Sequence, residues 1–146
     1  MSSPIDTLSA TLKNKIERLQ APQAHVRLLA AVHVSTLGPA ALPALDALIV
    51  ALHDACSNVR QAAALAIGEI GVRADAAVAP LVRAMRDPHH GVRRNAILAL
   101  GKLGAAAEVA VPALEHAMRD KDKHVRRAAT LVLKRLSPAS SATRAA

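Results

Sequence analysis

The stretch NVRQAAALAIGEIG at residues 58–71 returns as GVRRNAILALGKLG at 91–104, and in weaker form as HVRLLAAVHVSTLG at 25–38 and HVRRAATLVLKRLS at 124–137. The Val-Arg pairs start at Val26, Val59, Val92 and Val125, so the period is 33 residues with no insertion or deletion. A period of this size marks one supersecondary unit that cannot bury its own apolar face and must stack on its neighbours. The architecture follows from that constraint.

Each unit reads as two helices. The first is apolar around most of its circumference: in 58–71, Val59, Ala63, Leu65, Ile67 and Ile70 leave Gln61 and Glu69 as the clearly polar positions. Such a helix suits packing on more than one side. Gly38, Gly71 and Gly104 close the first helices where a left-handed C-cap residue is wanted. The second helix is amphipathic. Leu45, Val78 and Val111 share a face with Leu48, Leu81 and Leu114 and with Leu52, Met85 and Met118, at i, i+3, i+7 spacing. Positions 43, 46, 50 and 53 and their equivalents then face outward. Pro43, Pro80 and Pro112 lie in or near the first turns, where they kink the helix or shift its start.

Before the first full unit, Leu12, Ile16 and Leu19 sit where the second helices carry Leu45, Ile49 and Leu52. After the last, 124–136 is a first helix without its second. The expected layout is a half repeat at 5–20, full repeats at 22–54, 55–87 and 88–120, a half repeat at 121–137 and a disordered tail at 138–146. The fold class is all-α, a right-handed α-solenoid of about eight helices in a single domain spanning 1–146. Ser35, Gly68 and Gly101 are small where the next unit must come close, and Lys134 at the same position suggests a stop. A leading second helix and a trailing first helix are complementary, so head-to-tail association is an alternative to the favoured monomer.

Composition narrows the function. The chain has no Phe, Tyr or Trp, so its core is built of Ala, Leu, Val and Ile, and no run approaches the roughly 18 apolar residues of a membrane span. No secretory leader pattern opens the sequence and Cys56 is single, which points to the cytoplasm. Residues 1–73 carry six basic and five acidic groups, residues 74–146 thirteen and six, giving +1 and +7. That bias favours an anionic partner.

The order Asp, Val-Arg, Ala-rich helix, Leu-Gly, then Pro and Leu resembles the short HEAT-like repeat of the phycobilisome-lyase type. The resemblance rests on Asp54, Asp87 and Asp120, each six residues before Arg60, Arg93 and Arg126, and on GEIG at 68–71 and GKLG at 101–104. It covers nearly the whole chain and implies that these Asp and Arg residues are structural, tying consecutive units together as partly shielded pairs worth about 0–1 kcal/mol each. Two activities accompany similar repeats. Bilin lyases handle tetrapyrroles, for which this chain offers no aromatic wall. Deoxyhypusine hydroxylase holds two irons with His-Glu pairs after the Arg, where this chain has Gln61-Ala62, Arg94-Asn95 and Arg127-Ala128.

Other chemistry reads as structural. His89 and His90 beside Asp87 lie in a loop and are expected to diverge rather than to converge on an ion. His33 replaces Ala66, Ala99 and Val132 and is expected to be buried or half-buried, and Cys56 to be a small loop or cap residue. No metal, cofactor or catalytic constellation is expected.

The outer face of the second helices, expected to line the concave side, carries two columns: Glu17, Val50, Arg83, His116 and Gln20, His53, Arg86, Arg119. Helices stacked about 10 Å apart make Arg83, Arg86, His116 and Arg119, with His53 at the edge, a basic patch. The reading is a non-catalytic interaction module for an acidic protein partner. The first alternative is sequence-independent nucleic-acid backbone binding through that patch and a strip of Arg94, Lys102, Arg127 and Arg135 on the first helices. The second is a bilin-lyase-like enzyme or subunit.

Overall fold

A computed structural model of the chain describes residues 3–136. Among them are eight α-helices and no strand: α1 (Pro4–Arg18), α2 (Ala24–Ser35), α3 (Leu45–Ala51), α4 (Ser57–Ile70), α5 (Val78–Ala84), α6 (His90–Leu103), α7 (Val111–Ala117) and α8 (Lys123–Leu136). They stack as an α-solenoid. The proposed tail at 138–146 lies outside the described residues.

Local chemistry sets the helix limits. Ser3 caps α1 in a capping box, its Oγ accepting from the Asp6 N–H at 3.2 Å while the Asp6 carboxylate accepts from the Ser3 N–H at 3.0 Å. Gly71 and Gly104 end α4 and α6 with φ of 80° and 68°, as expected for C-cap glycines. Their ψ values, −144° and −134°, lie far from the left-handed helical region. This part of the map belongs to glycine alone, so Asn could not serve there. The chain then turns in 3-10 form through Gly38–Ala44, through Gly71–Arg73 and Asp75–Ala77, and through Gly104–Ala110. α-Helical bonding therefore starts late, at equivalent residues in each unit. Pro43 falls in the 3-10 stretch, while Pro80 and Pro112 fall in first turns whose N–H groups have no helical acceptor.

Burial follows the expected phase. Leu48, Leu81 and Leu114 are fully buried, as are Ile67, Ile70, Ile97, Leu100 and Leu103, and one continuous core runs from Leu12 to Val132. Positions 43, 46, 50 and 53 and their equivalents in the next two units are all exposed. First helices pack closely along their length, α2 on α4, α4 on α6 and α6 on α8, whereas neighbouring second helices barely touch. Small residues permit this approach. A Cβ added to Gly68 would lie 3.0 Å from the Ala99 Cα, and one added to Gly101 would lie 2.7 Å from a Val132 methyl.

Three placements differ from expectation. Met118, the equivalent of the buried Leu52 and Met85, is 43% exposed. His33 is exposed, with its Nδ1 3.2 Å from the Lys15 Nζ. Its equivalents are buried by the first helix of the preceding unit, and among the described residues no first helix precedes α2. Leu65 is 42% exposed and Leu98 is half-buried, because this position points away from both layers.

The Asp–Arg ladder is deeper than the sequence implies. Arg60 donates from Nε and Nη2 to both carboxylate oxygens of Asp87, at 2.7 and 3.0 Å, and from Nη1 to the Asp54 and Ala55 carbonyls. The Asp87 Oδ1 also accepts from the His89 N–H, so one rung joins three consecutive units. Arg27 with Asp54 and Arg93 with Asp120 repeat the arrangement. The Arg93 side chain is only 7% exposed. Arg126 keeps its two carbonyl contacts but has no carboxylate among the described residues.

These contacts hold the carboxyls of Asp54, Asp87 and Asp120 below the usual carboxylate range. For Asp54 the Arg27 hydrogen bond is the main cause. For Asp87 and Asp120 burial pushes upward but is outweighed by Arg60 or Arg93 and a backbone N–H. A carboxyl with a depressed folded pKa binds its proton more readily in the unfolded chain. Its contribution is therefore complete above the unfolded value of about 3.9 and is lost as the pH falls through the lower folded value. Urea midpoints are expected to drop below about pH 4, and to drop less in Asp87→Asn, which has already lost one rung. Equal acid sensitivity in the variant would show that the ladder does not carry the effect.

The end faces are partly polar. α1 places Thr11 and Lys15 where later units bury Ala44 and Leu48, and α8 places Thr130 and Lys134 where α6 has Ile97 and Gly101. Leu8 and Leu29 remain exposed at the first end.

Candidate partner-binding groove

Because the second helices stand apart, a groove of about 840 Å³ opens between α5 and α7. Val82, Met85, Pro112 and Ala113 supply its apolar surface, and Arg86, Arg119 and Lys121 supply its cations, with His116 beside them. Asp87 and Asp120 also line it, but each is already bound by an arginine of the ladder. The charge left for a ligand is positive.

Of the residues singled out in the sequence, Arg86, His116 and Arg119 come together here. Arg83 and His53 do not line the groove. Both are exposed, and the His53 Nδ1 lies 3.4 Å from the Ile49 carbonyl one turn earlier. Lys121 was missed by sequence reasoning. It follows the repeated Asp, where earlier units carry Ala55 and Pro88, so comparing the loop columns across units would have found it. Val109, also on the groove, is 77% exposed and replaces Ala76.

The first-helix strip is less uniformly basic than its sequence. Lys102 pairs with Glu69 of the preceding unit, while Arg94, Arg127 and Arg135 are exposed. A second groove of about 580 Å³ lies on α8, lined by Lys123, Arg126, Arg127, Thr130, Leu131 and Lys134.

The other residues weighed for chemistry make local contacts in the loops and at helix starts. His89 and His90 stack with ring centroids 4.9 Å apart rather than diverging, because the two rings lie side by side at the start of α6. His89 Nδ1 accepts from the Gly91 N–H as a helix cap, and His90 Nδ1 lies 3.8 Å from Asp122. No cluster of three metal-ligating side chains occurs among the described residues. Cys56 stands at the N-cap of α4, its N–H donating to Asp54.

The family model for HEAT repeats matches residues 45–134. The chain belongs to the HEAT repeat family. No curated protein matches it. This HEAT repeat chain is similar in structure to a designed armadillo repeat protein in complex with a (KR)4 peptide, at 20% identity and a TM-score of 0.77, over 89% of this chain and 66% of that one. It is also similar to a computationally designed armadillo repeat protein for modular peptide recognition, at 22% and 0.76, over 88% and 65%. A third likeness is to the complex of CpcE and CpcF of phycocyanin lyase from Nostoc sp. PCC7120, at 21% and 0.62, over 89% and 66%. The chain thus spans just under two thirds of the length of these structures. At such identities the likeness shows the fold. Among the described residues no helix is long and apolar enough to cross a membrane.

Proposed function

We propose that this HEAT repeat chain is a non-catalytic, monomeric, cytoplasmic interaction module that takes an acidic segment of a partner protein into the groove between α5 and α7. The observation that carries the reading is the charge balance of the groove. Arg86, His116, Arg119 and Lys121 surround an apolar floor, and its two carboxylates are already occupied by Arg60 and Arg93. Arg83 and His53 extend the basic surface beyond it. The armadillo repeat protein in complex with a (KR)4 peptide supports the principle that a stack of this kind takes up a charged peptide. Here the groove has the sign that suits an acidic one.

The phycobilisome-lyase type of the repeat is supported by the Asp, Val-Arg and Leu-Gly pattern and by the likeness to the CpcE–CpcF complex. A lyase activity has less behind it, since the chain has no aromatic residue to pack a tetrapyrrole. Nucleic-acid backbone binding is the second reading, favoured by the groove on α8 with its Lys123, Arg126, Arg127 and Lys134. Each phosphate neutralised would contribute about −0.9 to the slope of log affinity against log salt on duplex DNA.

Fluorescence anisotropy with a labelled Glu-rich peptide and with labelled duplex DNA, at two salt concentrations, separates the readings. The peptide is expected to bind, and Arg86→Glu with Arg119→Glu is expected to weaken it about tenfold or more. Duplex binding that depends on Arg126 and Arg127 and is indifferent to Arg86 and Arg119 would favour the second reading. Peptide affinity unchanged by the double charge reversal would refute the first.

A further inference from the structure

Four apolar side chains repeat on the outside of the first helices at one position of the period: Val32, Leu65, Leu98 and Leu131. Val32, Leu65 and Leu131 are 41%, 42% and 49% exposed, and Leu98 is half-buried. Isolated exposed apolar residues need no explanation, but a line that recurs in every unit of the stack is the kind of surface that marks an interaction site. It lies on the first-helix layer, whereas the groove between α5 and α7 belongs to the second.

The line has a socket and a charged border. Between α4 and α6 a cavity of about 110 Å³ opens beside Leu65 and Leu98, its depth set by Gly68 and Ala99 and its edge by Lys102 and Arg135. One helical turn to either side of the line stand Arg94 and Arg127, and Lys102 and Arg135. Lys102 is held by Glu69, so Arg94, Arg127 and Arg135 are border cations without a carboxylate partner among the described residues.

Spacing identifies the shape that fits. Packed helices lie about 8–10 Å apart, and a helix rising 1.5 Å per residue advances about 10.5 Å in seven residues. A helix laid across the first helices with an apolar residue every seventh position would thus meet one unit of the line at each repeat. We propose that the first-helix face is a second docking surface, occupied by an acidic amphipathic helix of another protein lying across α4, α6 and α8. One apolar side chain fills the socket beside Leu65 and Leu98, and carboxylates on either flank of the helix meet Arg94, Arg127 and Arg135.

Other occupants suit these features less well. A second copy would bring its own net charge of +8 against the same arginines. A flat lipid surface would not follow the heptad-spaced line and its socket as a helix does, and nucleic acid would leave the leucines uncovered. With an acidic segment in the groove on the opposite layer, the chain would join two proteins, but this surface stands whether or not that groove is occupied.

The test is selection from a displayed library of 20-residue amphipathic helices of varied charge and apolar spacing, on the intact chain. Enriched sequences are expected to be acidic with heptad-spaced apolar residues. They are expected to lose about tenfold or more in affinity against Leu65→Glu and Leu131→Glu, both surface changes checked for retained helicity, and to be indifferent to Arg86→Glu. Failure to enrich any helix, or enriched helices that bind Leu65→Glu and Leu131→Glu unchanged, would overturn the proposal. So would a wild-type dimer in sedimentation that both variants abolish, or cosedimentation with phosphatidylserine–phosphatidylcholine vesicles that depends on Leu65.

Discussion

Replacing Arg93 by Ala is expected to lower stability by about 3–5 kcal/mol, the range for removing one partner of a buried ion pair. The Arg93 guanidinium binds both oxygens of Asp120 at 2.9 Å and also donates to the Asp87 and Pro88 carbonyls. Truncation strands the Asp120 carboxylate, which is half-buried and keeps only the Asp122 N–H, and it frees two carbonyls in the loop between units. The same change at Arg126 removes two carbonyl contacts and strands no carboxylate among the described residues, so a loss of about 1 kcal/mol is expected there. Urea unfolding of the two variants beside wild type makes the comparison. Equal losses would mean that the carboxylate half of the rung contributes little.

Leu81→Ala is expected to cost about 2–5 kcal/mol through lost burial and the cavity it leaves. Leu81 is fully buried on the inner face of α5, where the second helix meets the first helix and the 3-10 segment of the next unit. Leu98 sits on the outer line and is half-buried, so Leu98→Ala should cost about 1 kcal/mol, scaled to the smaller area removed from water. Thermal or urea midpoints that ranked the two in the opposite order would place the phase of one of these helices wrongly.

The helix phase was legible in the sequence because each face recurs. Three trios of equivalent residues agree on which side of the second helix is apolar, and Leu48, Leu81 and Leu114 are all buried as that agreement requires. The first helices were harder to read. With apolar residues on nearly every side, periodicity cannot separate Leu65, which points out, from Ile67, which points in. The cationic columns were legible in the same way as the trios. Their gathering was not, since Arg86, His116 and Arg119 meet across one gap while Arg83 and His53 lie outside it.

The sequence alone determined the unit, its two helices and its stacking into a solenoid, because a strict period imposes one environment on equivalent residues. Which Arg each repeated Asp takes was decided by the fold: the Asp54 carboxylate binds Arg27 of its own unit, and Arg60 reaches only the carbonyl of Asp54. Only the tertiary structure decided what depends on a neighbour's presence or spacing. His33 is exposed because no first helix among the described residues covers its side of α2, and Arg126 meets no carboxylate among the described residues where its equivalents each hold one. The groove exists because small side chains draw the first helices together while the second helices stand apart. Those are distances between elements, and a one-dimensional pattern carries periodicity but not distance.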